Sequence, residues 1–191
     1  MRYFLSVLAV IVFLVVVIVL IVTNHSGSGT TAKIINITSY NTPNSAVSFI
    51  TDGTLVGNDQ RQAIEITITQ SSRSIYILDG YNQNIASQES FTNVPAAYSA
   101  FLGAMANYGF TDSRSTSEQN MFAICPLGNT FQYQLTNFSS LVSNLWGTTC
   151  SNSDGNFNGY GSTVNYLFTL QIPNYAAFTQ GVTTVSPISG S

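Results

Sequence analysis

The longest apolar run in the chain lies at its start. From Tyr3 to Val22 there is no charge and only Ser6 is polar. As a helix rising 1.5 Å per residue, these 20 residues reach about 30 Å, the thickness of a bilayer's hydrocarbon core. The pattern predicts a transmembrane helix. A cleavable signal peptide has a shorter apolar region, of about 7 to 15 residues, ending at a small-x-small site. The exit sequence Val22-Thr23-Asn24-His25 offers no such site, and no Cys follows to accept a lipid. Secretion after cleavage is the alternative reading.

Beyond the run, Asn24 to Thr31 (NHSGSGTT) is a Gly- and Ser-containing tether. Arg2 and the terminal amine sit before the span, and the first basic residue after it is Lys33. The positive-inside rule therefore places the N-terminus in the cytoplasm and the rest of the chain outside. The expected organisation is a short cytoplasmic start and transmembrane helix at 1–23, a flexible linker at 24–32, an extracytoplasmic domain at 33–181 and a loose tail at 182–191.

Within the domain the hydrophobic period shortens. Ile64, Ile66 and Ile68 alternate with Glu65, Thr67 and Thr69, which puts three isoleucines on one face of a strand and a polar row on the other. Lys33–Ile37 and Ala46–Thr51 read as earlier strands, separated by the turn residues Asn41-Thr42-Pro43-Asn44. Ser74–Leu78 and Ile85–Phe91 follow the isoleucine strand in a meander. The period then becomes helical. Tyr98, Phe101, Leu102 and Met105 fall on one stripe, with Asn93 as the expected N-cap, Pro95 in the first turn and Gly109 as terminator.

Met121–Cys125 and Phe131–Leu135 read as a second hairpin turning at Pro126-Leu127-Gly128-Asn129. Ser139 or Ser140 would cap a short helix carrying Leu141, Val142, Leu145 and Trp146. Thr163–Gln171 fits both strand and helix, and we read it as a helix ended by Pro173. The predicted fold class is α+β, an antiparallel sheet with helices packed on one face, preceded by a single transmembrane helix.

Composition changes this picture in one respect. Charged residues make up only 7% of the chain, against about 25% in ordinary soluble domains. The 24 Ser, 21 Thr and 18 Asn residues must do the solvating instead. A net charge of -3, with Arg2, Lys33, Arg61, Arg73 and Arg114 scattered, excludes a phosphate-neutralising face and hence a nucleic-acid partner.

Candidate chemistry is sparse. Cys125 and Cys150 are the only cysteines, and outside the cytoplasm an even pair implies a disulfide. The sole histidine, His25, lies in the tether, where it lacks the rigid placement that a general base or metal ligand needs. Glu65, Glu89, Glu118, Asp79, Asp112 and Asp154 could supply a carboxylate pair of the kind glycosidases use, but their spacing shows no convergence. The loop SNSDGNFNGYG alternates Asn152, Asp154, Asn156 and Asn158, yet it lacks the charge and the closing Glu of a calcium loop.

No metal or cofactor is expected, therefore, and no catalytic residue is assigned. Phe157, Tyr160 and Tyr166 form a candidate aromatic binding surface around a Gly-rich loop. Asn24-His25-Ser26, Asn36-Ile37-Thr38 and Asn137-Phe138-Ser139 match the N-glycosylation acceptor pattern, where chance matches are expected in a chain so rich in Asn, Ser and Thr. The expected role is a membrane-anchored, non-enzymatic binding or envelope-associated structural module. Its partners are the bilayer, through residues 3–22, and a protein, peptide or glycan. An anchored carboxylate hydrolase is the rival.

Overall fold

The computed structural model describes residues 35–117, 120–150 and 155–182. The chain divides into two units, Met1–Lys33 and Ile34–Ser191. The apolar run 3–22, the tether, Lys33, Glu118, Asp154 and the tail from 183 lie outside the described residues. Among the described residues, no helix is long and apolar enough to cross a membrane.

The domain is built on six strands: β1 (Ser45–Asp52), β2 (Gln62–Thr69), β3 (Ser72–Asp79), β4 (Asn84–Thr92), β5 (Thr130–Asn137) and β6 (Ser140–Thr148). They form one antiparallel sheet in the order β4-β3-β2-β1-β5-β6. The helices are α1 (Pro95–Asn107), α2 (Met121–Ile124), α3 (Gly161–Thr169) and α4 (Tyr175–Phe178). The fold class is α+β, with the expected meander at β2–β4.

Register assigns the two faces. Ile64, Ile66 and Ile68 pair with Thr51, Phe49 and Val47 on β1, and Ile64 and Ile66 pair with Ile77 and Ile75 on β3. Side chains alternate along a strand, so all of these share one face. Tyr133 and Leu135 join it from β5, and Leu145 from β6. Tyr98, Phe101, Leu102 and Met105 of α1 and Val164 and Phe168 of α3 are buried in the same cluster. Phe168 is its aromatic hub, with ring centroids 5.5 Å from Phe49, 5.3 Å from Phe101 and 5.9 Å from Phe110.

β1 is one of the two central strands, paired with β2 and β5, and is covered on both faces, which is why its sequence SAVSFITD shows no clean alternation. Its second face carries Ser48, Ile50 and Asp52. Ile50 packs with Ala63, Leu78 and Tyr76.

Several expected elements differ. Residues Ile37–Tyr40 form a 3-10 turn, because Asn36 accepts a hydrogen bond from the Thr38 amide and so caps the chain out of extended structure. Asn93 does not cap α1. Val94 holds that position without a side-chain bond, and the Asn93 amide donates to the Thr69 carbonyl at 2.6 Å. Met121–Ile124 is a helical turn, since the Asn120 side chain accepts from the amides of Phe122 and Ala123.

The segment Ser140–Thr148 is a strand rather than a helix, and the second hairpin is β5–β6, turning at Phe138 and Ser139 rather than at 126–129. Both turn residues hold positive φ, 49° and 61°, as a two-residue type I′ turn demands. Such a turn normally carries Asn and Gly. Phe and Ser hide it. The Leu141–Leu145 spacing fits a helix, yet a register shift between Leu135 and Thr136 lets the strand absorb it.

The two sheet edges differ. β4 is exposed along its length apart from Phe91, which is half-buried. On β6, the Trp146 amide donates to Asn156 Oδ1 at 2.7 Å and the Trp146 carbonyl accepts from the Phe157 amide at 3.0 Å. Gly155 is obligatory in this contact, because a Cβ there would lie 1.9 Å from the Trp146 oxygen.

Candidate functional site

The cysteine pair closes. Cys125 follows α2 directly and Cys150 lies just past β6, with 5.6 Å between their Cα atoms in a disulfide. Gly128 makes room for it, since a Cβ at that position would stand 2.5 Å from Cys125 Sγ. The bridge staples α2 to the end of β6. Leu55 reinforces the attachment by donating its amide to the Pro126 carbonyl at 2.7 Å.

α2 in turn faces a buried ion pair that the sequence did not reveal. Arg61 donates to the Asp52 carboxylate and, at 2.7 Å, to the Gly80 carbonyl. The side chains are only 5% and 1% exposed. The guanidinium lies 4.5 Å from the Tyr81 ring centroid and 5.4 Å from that of Phe122, which meet edge to face. Burial pushes the Asp52 carboxyl above the ordinary carboxylate range, opposed by the neighbouring Arg61 charge and the Gln132 amide. Asp52-Gly53 is turn chemistry and Arg61 is one of the scattered basic residues, so neither residue carried a signal. This pair is one cation with one anion, both enclosed in the domain.

The aromatic candidates separate. Phe157 is buried against Tyr133, with stacked rings 4.0 Å apart, and is therefore not part of an exposed surface. It is drawn inward by its own amide's bond to the Trp146 carbonyl and by the bond from the Trp146 amide to the neighbouring Asn156 side chain. Tyr160 and Tyr166 are 69% and 53% exposed. Tyr160 meets Tyr108, itself exposed, edge to face at 6.2 Å. The chain geometry fixes this pairing. The Tyr160 amide donates to the Tyr108 carbonyl at 3.0 Å, and a Cβ on Gly159 would stand 2.3 Å from the Gly109 oxygen. Sequence reasoning missed Tyr108 because it closes α1, where Gly109 (φ 71°) reverses the chain.

Glu65 and Glu89 do not converge. Glu89 pairs with Ile75 on the core side of the sheet, whereas Glu65 pairs with Tyr76 on the other side. Asp79 and Asp112 are exposed, and Glu118, Asp154 and His25 lie outside the described residues. No three His, Cys, Asp or Glu side chains among the described residues are grouped to hold a metal. The face that Glu65 shares with Ser48, Thr67, Ser74 and Ser90 is hydroxyl-rich, with Ser48 and Thr67 bonded at 2.7 Å and Thr67 donating to Glu65 at 2.9 Å.

No family model matches the chain, and no curated protein matches it in sequence. What the arrangement offers is contact chemistry: exposed tyrosines with polar tips at the ends of the helices, and a separate uncharged hydrogen-bonding surface on the opposite face of the sheet.

Proposed function

We propose that the chain is a single-span membrane protein whose α+β domain stands on the non-cytoplasmic side and binds a protein, peptide or glycan partner through an exposed tyrosine surface. The Cys125–Cys150 bridge carries the reading, because such bridges persist in oxidising compartments. The apolar run Tyr3–Val22, Arg2 before it and the tether after it support the same orientation. Tyr108, Tyr160 and Tyr166 are the contact residues. Tyrosine gives large contact area at small conformational cost.

Location and binding are tested separately. In intact cells, a membrane-impermeant thiol reagent should label Cys125 and Cys150 only after treatment with a membrane-impermeant reductant; no labelling after reduction rejects the location, and labelling without reduction rejects the bridge. For binding, the detergent-solubilised full-length chain is passed over immobilised envelope material. The paired change Tyr160→Ala and Tyr166→Ala should lower affinity at least tenfold, about 1.4 kcal/mol, with the melting temperature unchanged. Equal retention of both forms rejects the tyrosine surface.

A further inference from the structure

Three Asn-x-Ser/Thr triplets occur in the chain, and the domain treats the two described ones differently. Asn36 is exposed. Its Oδ1 accepts from the Thr38 hydroxyl at 2.8 Å and from the Thr38 amide at 3.2 Å. Among the described residues its Nδ2 donates to nothing. Ile37 between them is buried in the core, 1% exposed, and the Ser39 hydroxyl donates to the Asn36 carbonyl at 2.7 Å, so the triplet is held rigidly at the domain surface. Asn137 is half-buried at the β5–β6 turn. Its Oδ1 accepts from Ser45 rather than from Ser139, and Phe138 and Ser139 are locked at positive φ.

We infer that Asn36 is the N-glycan acceptor of this protein, with a lipid-linked diphospho-oligosaccharide as donor. The inference rests on the non-cytoplasmic location proposed above. In the transfer, the Asn36 Nδ2 to anomeric-carbon bond forms. The bond from that carbon to the diphosphate oxygen breaks, its electron pair leaving with the diphosphate, and the Nδ2 proton passes to a base on the host transferase. An amide nitrogen is a poor nucleophile. Two donors aimed at Oδ1 stabilise the negative charge that builds there as the proton leaves, the same physics as an oxyanion hole. Thr38 supplies both. The glycosylated amide keeps Oδ1 and both of its bonds, so the turn that begins the domain survives the modification. Asn137 would instead have to carry a glycan from within a packed hairpin end.

The test is intact-mass measurement and peptide mapping on the full-length chain purified from the membranes of its own host, with thiol status read on the same sample. A glycan mass is expected on Asn36. Occupancy should fall at least tenfold in Thr38→Ala, return in Thr38→Ser, and be unchanged in Asn137→Gln. Bridged cysteines with an unmodified Asn36, or a glycan on Asn24 or Asn137 alone, overturn the inference and leave the location standing. Free cysteines with an unmodified Asn36 overturn both.

Discussion

Replacing Asp52 by Asn keeps the shape of the side chain and deletes its charge. Arg61, 5% exposed, would then hold a guanidinium inside the domain without a counter-charge. Removing one partner of a buried pair costs about 3–5 kcal/mol. Here the Gly80 carbonyl at 2.7 Å and the Tyr81 ring at 4.5 Å still solvate the cation, which argues for the lower end, about 3 kcal/mol. With a urea dependence of about 2 kcal/mol per molar, the unfolding midpoint should fall by about 1.5 M. The double change Asp52→Leu with Arg61→Met removes both charges and should recover most of the loss, giving a coupling of at least about 2 kcal/mol. Arg61→Met alone adds a pH signature. Burial already raises the Asp52 carboxyl, and losing Arg61 raises it further. A raised folded pKa means stability present below the unfolded carboxylate value and lost as pH rises through the folded one, so the single variant should lie closer to the parent at pH 4 than at pH 7. A midpoint shift under about 0.5 M for Asp52→Asn, or a double variant as unstable as the two singles summed, would refute the reasoning.

The Cys125→Ser/Cys150→Ser variant should lose about 3.5 kcal/mol by the chain-entropy relation for a sequence separation of 25, measured by urea unfolding; a loss under 1 kcal/mol would mean the bridge constrains little. The buried Tyr98 hydroxyl is pushed up to about 12 by desolvation, and Tyr133 is raised further still while donating to Asn165 at 2.8 Å. Both groups contribute stability that is complete below the unfolded tyrosine value near 10 and declines as pH rises above it. Spectrophotometric titration should therefore show these two ionising only with alkaline unfolding, whereas smooth titration near pH 10 with the fold intact contradicts their placement.

Legibility in the sequence followed burial on one side. The β2 isoleucines alternate because only one of their faces meets the helices, and the α1 stripe Tyr98, Phe101, Leu102 and Met105 was readable for the same reason. Where both faces are covered or a turn lacks its usual residues, the pattern failed. Leu145 faces the core and Trp146 the opposite side, so adjacent apolar residues mimic a helix stripe. Met121–Ile124 is too short for period to decide, and the Asn120 cap decides it. In the candidate site, Tyr160 and Tyr166 stood out by composition, but the inward turn of Phe157 depends on Gly155 approaching Trp146, a contact invisible before folding. Asp52 was hidden by the turn-forming Gly53 that follows it, and Arg61 by being one of five scattered basic residues.

The unequal edges bear on assembly. Asn156 and Phe157 bond to β6 at Trp146, whereas among the described residues no segment is bonded in this way along the exposed strand β4. Pairing through the part of β6 that carries Trp146 would first have to displace those bonds, so strand addition meets less obstruction at β4 than at β6.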